Sequence, residues 1–266
     1  MLREARYAKQ AQPAGLIAAL RAADATVVVV QPDPPGEAGT VREPLHELIR
    51  SAAVVVARGR SAGVLDALRI AGRAGIPVVD AAEAVAGVRD KAAMAAVLTQ
   101  AGVPTPATFV ASVRRLSEQV PMAAYPLIMK PVYGDNGRGL RVVDTPEELK
   151  ALSWPEQPAL AQSYLPGDGV DLKVYVIGEH MTAVHKPSPF TPCVSGREET
   201  VPADRRLRRL ARRCGRLFGL TVYGVDFLET NRGPVVVEIN DFPNFTAVAD
   251  ADVLLAEHVL SRAGVA

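Results

Sequence analysis

The chain has 266 residues, of which 48% are hydrophobic and 22% charged, and its formal net charge is +1. This length allows two domains or one elaborate domain, and the small net charge excludes a global field that would draw the protein to nucleic acid or a membrane. Cys193 and Cys214 have no paired spacing, so neither a disulfide framework nor a zinc knuckle is predicted. We see no signal peptide and no apolar run long enough to cross a bilayer, so we expect a cytoplasmic protein.

The first 88 residues alternate between strand patterns and helix patterns. Helices are predicted over residues 14–22, 45–50 and 64–74, and strands over 26–31, 52–57 and 75–80. This alternation is typical of a parallel sheet with helices on both faces. We expect the first strand, within residues 1–7, to be weak or shortened because three charged residues interrupt it. The segment 32–39 is rich in Pro and Gly and is predicted to be a loop.

The remaining residues show strands in closer succession. Asp90 is a predicted N-cap for a helix that runs to Gln100. Further helices are predicted from residue 145 and over 204–218 and 250–260. Strands are predicted over 107–111, 126–131, 140–143, 159–164, 170–177 and 181–186, followed by a loop over 187–202 and two further strands near 223–227 and 235–240. The pattern indicates a mixed α and β domain after residue 88.

Three oxygen-bearing side chains follow two of these apolar strands. Asp226 closes one run, and Glu238 and Asn240 are two apart on the next, so they face the same side of a strand. A buried carboxylate needs a counter-charge. Two carboxylates and a carboxamide suit Mg²⁺, with Mn²⁺ as an alternative, rather than zinc. Mg²⁺ held by few protein groups usually also holds nucleotide phosphates.

A lysine and a glycine-rich turn form a second pair of signals. Lys130 lies inside an apolar strand, where its ammonium group needs an anion; an edge strand with Lys130 in water fits equally well. Gly134, Gly137 and Gly139 let backbone N–H groups approach phosphate oxygens closely. By itself, the same turn is more typical of an ordinary hairpin, and it matches neither the Walker nor the dinucleotide pattern.

Four other charged residues are individually ambiguous. Lys91 begins the helix after Asp90, where a lone lysine is usually solvated. Asp171 and Lys173 share one face of a strand and form either a weak surface ion pair or the wall of a polar cleft. Lys186 ends the following strand and either meets a phosphate or merely terminates the strand.

The helix over residues 204–218 contains seven arginines beside a regular apolar stripe. The arginines are therefore interpreted mainly as its solvated face. Nucleic-acid binding is not expected, because the rest of the chain is not basic.

The order of these features closely resembles the ATP-grasp family. The motifs that carry the resemblance are Asp90-Lys91 before a helix, residues 102–106, Lys130 after an apolar strand, the glycine-rich turn, residues 161–165, Asp171-Leu-Lys173, and Asp226 followed by Glu238-Ile-Asn240. The resemblance implies a parallel pre-ATP-grasp α/β domain over residues 1–88. It implies a two-lobed ATP-grasp domain over 89–266, with a central lobe over about 89–165 and a C-terminal lobe over about 166–266.

The resemblance also implies a role for each candidate residue. Lys91 and Lys130 would hold the phosphates and the adenine side of ATP. The flap over the phosphates would contain Gly134, Gly137 and Gly139; the adenine hinge would contain Gln162, Tyr164 and Leu165; and Asp171 would lie near the ribose. Lys173, Lys186 and Arg197 would act on the reacting groups, and Asp226, Glu238 and Asn240 would bind Mg²⁺.

Two subgroups of this family share features with the chain. Residues 230–240 resemble the RimK-like and glutathione-synthetase-like ligases. Those enzymes phosphorylate a carboxylate, and an amine then attacks the acyl phosphate to form an amide. Residues 171–178, 185–189 and 239–243 resemble the inositol-polyphosphate kinases, which stop at phosphorylation of a hydroxyl. The leading hypothesis is a carboxylate–amine ligase acting on small-molecule or peptide substrates. The alternatives are a small-molecule kinase and a non-catalytic nucleotide-binding subunit, and a homodimer is the default assembly.

Overall fold

A computed structural model describes residues 1–32, 43–134, 139–167, 169–188 and 198–265. The strands are β1 (Leu2–Arg3), β2 (Val55–Arg58), β3 (Val78–Val79), β4 (Thr108–Ala111), β5 (Leu127–Lys130), β6 (Arg141–Val143), β7 (Ala159–Ser163), β8 (Val170–Ile177), β9 (His180–Pro187), β10 (Glu199–Val201), β11 (Val222–Leu228) and β12 (Val235–Asp241). The helices are α1 (Ala11–Ala22), α2 (Glu43–Arg50), α3 (Ala62–Arg73), α4 (Ala82–Arg89), α5 (Lys91–Gln100), α6 (Val113–Gln119), α7 (Pro146–Ala151), α8 (Arg205–Phe218) and α9 (Ala251–Arg262). None of the helices in these ranges is long and apolar enough to cross a membrane.

The first unit contains the predicted parallel sheet, in the order β1-β2-β3. β1 has only two residues, as its charged sequence predicts. The strand predicted over 26–31 is wrong for most of its length, because only Val30 forms a bridge, to Leu2. Arg3 donates its backbone N–H to the Val30 carbonyl (2.9 Å), and the two-residue β1 offers no further residues with which a ladder could continue.

The second unit is an antiparallel sheet in the order β4-β7-β5-β6. Helices α6 and α7 cover one of its faces, with Leu116, Leu149, Leu127 and Met129 in one buried cluster. Helix α6 is absent from the sequence prediction. Its signals are nonetheless present, because the Ser112 hydroxyl accepts from an N–H in the first turn and apolar residues recur at helical spacing.

The third unit is an antiparallel sheet in the order β10-β9-β8-β11-β12. Helices α4, α5 and α8 pack on one face, and α1 and α9 pack on the other. β10 corrects the prediction of a continuous loop over 187–202, because Glu199–Val201 pairs with β9. This short strand has weak sequence signals, and pairing with the preceding strand supplies its backbone partners.

The face covered by α1 and α9 is apolar at one end of the strands and charged at the other. On β8 the residues of this face run from Ile177 through Tyr175 to Lys173, and on β11 from Val222 through Gly224 to Asp226. Ile177, Tyr175 and Val222 belong to the buried apolar cluster, whereas Lys173 and Asp226 form an ion pair. The apolar packing therefore ends where the charged residues begin, which places a polar cleft against the remainder of this face.

Two helical glycines give a paired test of the packing. A Cβ at Gly215 in α8 would lie 2.2 Å from the hydroxyl oxygen of Tyr223, a residue that is only 3% exposed, whereas a Cβ at Gly72 in α3 would have no heavy atom within 4 Å. We expect Gly215→Ala to lower the free energy of unfolding by about 2 kcal/mol through overpacking. Gly72→Ala should raise it by about 0.5 to 1 kcal/mol through helix propensity. Urea-induced unfolding measures both, and equal stability of the Gly215→Ala and parent proteins would contradict this packing.

Candidate active site

The five-stranded sheet of the third unit is the large sheet. A row of charged side chains crosses three of its neighbouring strands at its polar end. Asp226 on β11 is opposite Lys173 on β8 and opposite Glu238 on β12. Lys173 Nζ lies 3.1 Å from Asp226 Oδ1 and 3.3 Å from Oδ2. The amide Nδ2 of Asn240 donates to Asp226 Oδ2 (2.8 Å). The antiparallel register thus brings together the predicted metal-site residues and one of the predicted catalytic lysines.

The two carboxylates of this row, Asp226 and Glu238, favour the binding of a cation between them. Like charges directly opposite one another destabilise a sheet, and Asp226 and Glu238 are such a pair. Asp226 Oδ1 is buried and has no hydrogen-bond donor among the described residues, although the Lys173 ammonium is nearby. These oxygens fit Mg²⁺ chemically. Within the described part of the chain, no three His, Cys, Asp or Glu side chains cluster as a metal site, so the candidate set depends on the amide of Asn240.

The pKa shifts within the row follow from its pairing. Burial alone would raise the pKa of Asp226, but the ammonium groups of Lys173 and Lys186 outweigh burial and hold this pKa below its usual value. Burial alone would lower the pKa of Lys173, but Asp226 outweighs burial and raises it. Both groups are therefore ionised at neutral pH.

Gly224 leaves the space that the Lys173 side chain occupies. A Cβ at Gly224 would lie 2.9 Å from Cε of Lys173 and 3.2 Å from Cγ of Pro243. Gly224 is opposite Asn240 on β12 and opposite Tyr175 on β8. This role is missing from the sequence analysis, because only the strand register shows which side chain crosses over the glycine.

Lys91 joins the row from the first turn of α5. Its ammonium donates to the Gly134 carbonyl (2.7 Å) and lies 2.9 Å from Glu238 Oε1. The Asp90 side chain caps the helix by accepting from the N–H groups of Ala92 and Ala93, as predicted. Lys91 is only 8% exposed, so the interpretation of a solvated surface lysine does not apply to it.

Lys130 at the end of β5 is buried, which resolves the choice between an edge strand in water and an interior lysine. Its ammonium donates to Gln162 Oε1 (2.6 Å), and Gln162 Nε2 donates to Thr108 Oγ1 (3.0 Å). Burial lowers the pKa of Lys130 from 10.5 to about 8, and Lys91 contributes in the same direction, while Glu238 and Asp226 partly offset both. An anion entering beside Lys130 would therefore be strongly favoured.

The remaining predicted residues are placed less closely. Lys186 Nζ lies 3.8 Å from Asp226 Oδ1, and Lys186 is opposite Asp171 in the pairing of β8 and β9. Gly139 has a φ of +74°, a left-handed conformation that favours glycine. Gly137 and Arg197 fall outside the described residues, as does most of the loop predicted over 187–202.

A cleft lies between the sheet of the second unit and the large sheet. It is lined by Pro106, Ile128, Lys130, Gln162, Ser163, Tyr164, Leu165, Gly167, Gly169, Asp171, Ser188, Asp226, Phe227, Leu228 and Val237. Its mixed apolar and polar walls are typical of a small-molecule site. Five of the predicted cofactor-binding residues and Asp226 thus meet in one cleft or at its edge, and the backbone N–H of Tyr164 is already fixed by the Pro126 carbonyl (2.8 Å).

The sequence analysis missed the arginines of the first unit. Arg58 is the last residue of β2 and Arg60 follows it, and both line a second cavity beside Lys173 and Asn240. Buried Arg89 at the end of α4 pairs with Asp241 (2.8 Å) and donates to the Gly59 carbonyl. A signal for Arg58 and Arg60 exists, since charged residues at the carboxyl end of a parallel strand often face a ligand.

Residue usage offers a further signal for the lysines. The chain contains 24 arginines but only six lysines. Four of those six, Lys91, Lys130, Lys173 and Lys186, approach the row or the cleft. Lysine is thus concentrated where compact, movable charges are useful, and arginine supplies most of the cationic surface.

Comparison with known sequences agrees with this geometry. Residues 88–262 match the family model of the RimK-like ATP-grasp domain. A probable alpha-L-glutamate ligase of Pseudomonas putida is 27% identical over 187 residues, which are 65% of this chain and 62% of that relative. The chain thus spans about three fifths of the length of that curated relative.

Solved structures share the fold at low sequence identity. A RimK domain ATP-grasp protein of Sphaerobacter thermophilus superposes with a TM-score of 0.73 at 22% identity, covering 94% of this chain and 96% of that one. A D-alanine–D-alanine ligase of Bacillus anthracis, complexed with ATP, superposes with a TM-score of 0.73 at 15% identity, covering 98% and 94%. The predicted fold class, a parallel α/β unit followed by an ATP-grasp unit, is confirmed, while the boundary at residue 88 stays a prediction.

The pKa of Lys130 can be measured directly, because only six lysine signals need to be resolved. In protein labelled with ¹³C at the lysine ε-carbons, we expect one signal to titrate with a midpoint near pH 8 and to vanish in Lys130→Arg. Exposed Lys150 gives the matched control, since Lys150→Arg should remove a different signal. A Lys130 midpoint above pH 10 would contradict the burial of its charge.

Proposed function

The chain belongs to the RimK-like ATP-grasp family, and on this basis we propose that it is an ATP- and Mg²⁺-dependent carboxylate–amine ligase working through an acyl phosphate. The observation that carries the proposal is the charged row of Lys173, Asp226 and Glu238 beside the small-molecule cleft. The row combines carboxylates that suit a metal with a lysine that suits phosphates, at one end of the cleft. The related glutamate ligases favour a ligase over a kinase.

We assign the cleft to ATP. The segment from Gln162 to Leu165 would hold the adenine, and Asp171, on the opposite wall, would lie toward the ribose. Lys130 and Lys91 would then meet the phosphates. Among the described residues, the Lys130 ammonium donates to the neutral amide of Gln162 and to no carboxylate. A phosphate would therefore supply the missing counter-charge.

We assign Mg²⁺ to Asp226, Glu238 and Asn240, whose oxygens suit this ion. Bound there, the metal would neutralise charge on the phosphates during transfer. Lys173 and Lys91 now neutralise the two carboxylates at 3.1 and 2.9 Å. A metal would take over that task and release both ammonium groups to turn toward phosphate oxygens.

The chemical step follows from these assignments. An oxygen of the acceptor carboxylate attacks the γ-phosphorus of ATP, the bond to the β-phosphate oxygen breaks, and ADP leaves. The amine nitrogen then attacks the carbonyl carbon of the acyl phosphate, the carbon–oxygen bond to phosphate breaks, and the amine loses a proton to solvent or phosphate. Lys173 and Lys186, whose ammonium groups lie beside Asp226, would stabilise the negative charge of both steps.

Release of phosphate distinguishes the proposed ligase from a kinase. With ATP, Mg²⁺, a panel of carboxylic acids and hydroxylamine as the amine, we expect equal amounts of ADP and inorganic phosphate and a hydroxamate product. Both ADP and phosphate should be measured in the same reaction. Hydroxylamine accepts the acyl group from an acyl phosphate whichever natural amine is used.

The opposite results are equally clear. ADP formation on polyols without phosphate release would identify a kinase. ATP binding without ADP formation on any acid or polyol of the panel would favour a non-catalytic nucleotide-binding protein.

The metal assignment gives a separate prediction. Glu238→Gln and Asn240→Ala should each reduce ADP formation by about 100-fold or more, because charge on the phosphates is then poorly neutralised. Exposed Glu257 on α9 provides the matched control, and Glu257→Gln should leave turnover unchanged. Circular dichroism checks that the fold is retained, and near-full turnover in both site variants would refute the metal assignment.

A further inference from the structure

A second cavity lies where the first unit meets the charged row. The first unit contributes Tyr7, Gln10, Arg58 and Arg60, and the large sheet contributes Lys173 and Asn240. The cavity therefore begins beside the residues to which we assign phosphoryl transfer and extends to the arginines at the carboxyl end of β2.

The topology of the first sheet explains why a site forms there. β1 and β2 are neighbouring parallel strands, and Tyr7 and Arg58 lie at or beyond their carboxyl ends. The chain leaves β1 into α1, which packs with α9, whereas it leaves β2 into α3, which packs in a different cluster. Helices that leave adjacent strands toward opposite faces open a crevice between them, and ligands of open α/β sheets bind in such crevices.

Arg58 is held in a fixed orientation at this crevice. It donates to the Phe242 carbonyl and to Gln10 Oε1 (2.9 Å), and its guanidinium lies 4.3 Å from the centroid of the Tyr7 ring. These contacts restrain a side chain that is otherwise flexible. A guanidinium held in this way loses little entropy when it binds an anion through two parallel hydrogen bonds.

Arg60 is placed by its backbone. Glu4 Oε1 accepts from the N–H groups of Arg60 (2.5 Å) and Ser61 (2.6 Å), and Arg89 donates to the Gly59 carbonyl just before them. Burial alone would raise the pKa of Glu4, but these backbone donors and Arg6 hold it below its usual value. The turn is thus fixed from both sides while the Arg60 side chain faces the cavity.

The charges of the cavity favour an anion. Its described lining has three cationic side chains, Arg58, Arg60 and Lys173, and two carboxylates, Asp241 and the exposed Glu198. Asp241 is already paired with buried Arg89 (2.8 Å), and Lys173 is paired with Asp226 (3.1 Å). Both arginines lie on the side of the first unit, away from the reacting end.

We propose that the acceptor acid carries a second anionic group, a carboxylate or a phosphate, which Arg58 and Arg60 bind while its reacting carboxylate lies toward Lys173 and Asn240. This inference rests on the proposed function and adds a substrate class to it. An acid with a single charge would fill only the reacting end.

Binding to the full chain tests the proposal without turnover. With Mg²⁺ and a non-hydrolysable ATP analogue present, calorimetry compares succinate with succinamate, glutarate with glutaramate, and 3-phosphoglycerate with glycerate. We expect at least one acid with two anionic groups to bind about tenfold or more tightly than its matched partner. The dicarboxylate and phosphate pairs distinguish the two kinds of second group.

Variants assign that preference to the arginines. Arg58→Gln and Arg60→Gln should each remove most of the difference within a pair, while affinity for the ATP analogue stays at its parent value. Arg60→Gln keeps the fold safest, because Glu4 holds Arg60 through its backbone. Arg73→Gln, at an exposed residue at the end of α3, is the matched control and should keep the preference.

Two results would overturn the proposal. One is that no acid of the set binds more tightly than its matched partner, and the other is that both arginine variants keep the parent preference. Failure of the proposed function is separate, since it would show as no ADP formation with any acid. A preference for two charges that is lost in Arg60→Gln would support the anion site whatever that assay gives.

Discussion

The contact on which this site depends is the ion pair between Lys173 and Asp226 across β8 and β11. Both side chains lie where the apolar face of the large sheet ends, and each would be costly to bury alone. Their pairing keeps both groups charged in a largely desolvated position. Gly224 and Asn240 serve this pair directly, one by leaving room for the lysine and the other by donating to the carboxylate.

Burial of the Lys130 ammonium carries a desolvation cost that the nearby carboxylates offset only in part. Its pKa of about 8, against an ordinary 10.5, means that burial disfavours the charged form by about 3 kcal/mol. Because this pKa is lower in the folded protein, the cost is present below pH 8 and disappears as the pH rises toward 10.5. An anion that binds beside Lys130 would stabilise the charged ammonium group and remove this cost. This is a physical reason to expect tight phosphate binding there.

The sequence alone allowed the strands of the ATP-grasp unit and most of their polar residues to be predicted. Glu238 and Asn240 could be placed on one face because their spacing matches the strand period, and Asp90 could be recognised as a cap. The cross-strand register could not be predicted, so the clearance at Gly224 was missed. The packing of α5 against β12 could not be predicted either, so the contact of Lys91 with Glu238 was missed. The segment 26–31 has strong strand propensity, but β1 is too short to pair with it, so tertiary context decides its conformation.

The arginines were missed for a related reason. Arg58 ends an ordinary strand, Arg60 follows it, and neither belongs to a motif. Their place in a site is visible only in the structure, where the first unit puts them in the same cavity as Lys173.

The two halves of the site use different cations. Lysines, as compact charges on flexible stems, suit the end where a charge must pass between a carboxylate and a phosphate. Arginine suits the other end, because a planar fork restrained by Tyr7 and Gln10 can select the geometry of a second anionic group. The division follows the chemistry of each end: charges that must move in one, and charges that must stay fixed in the other.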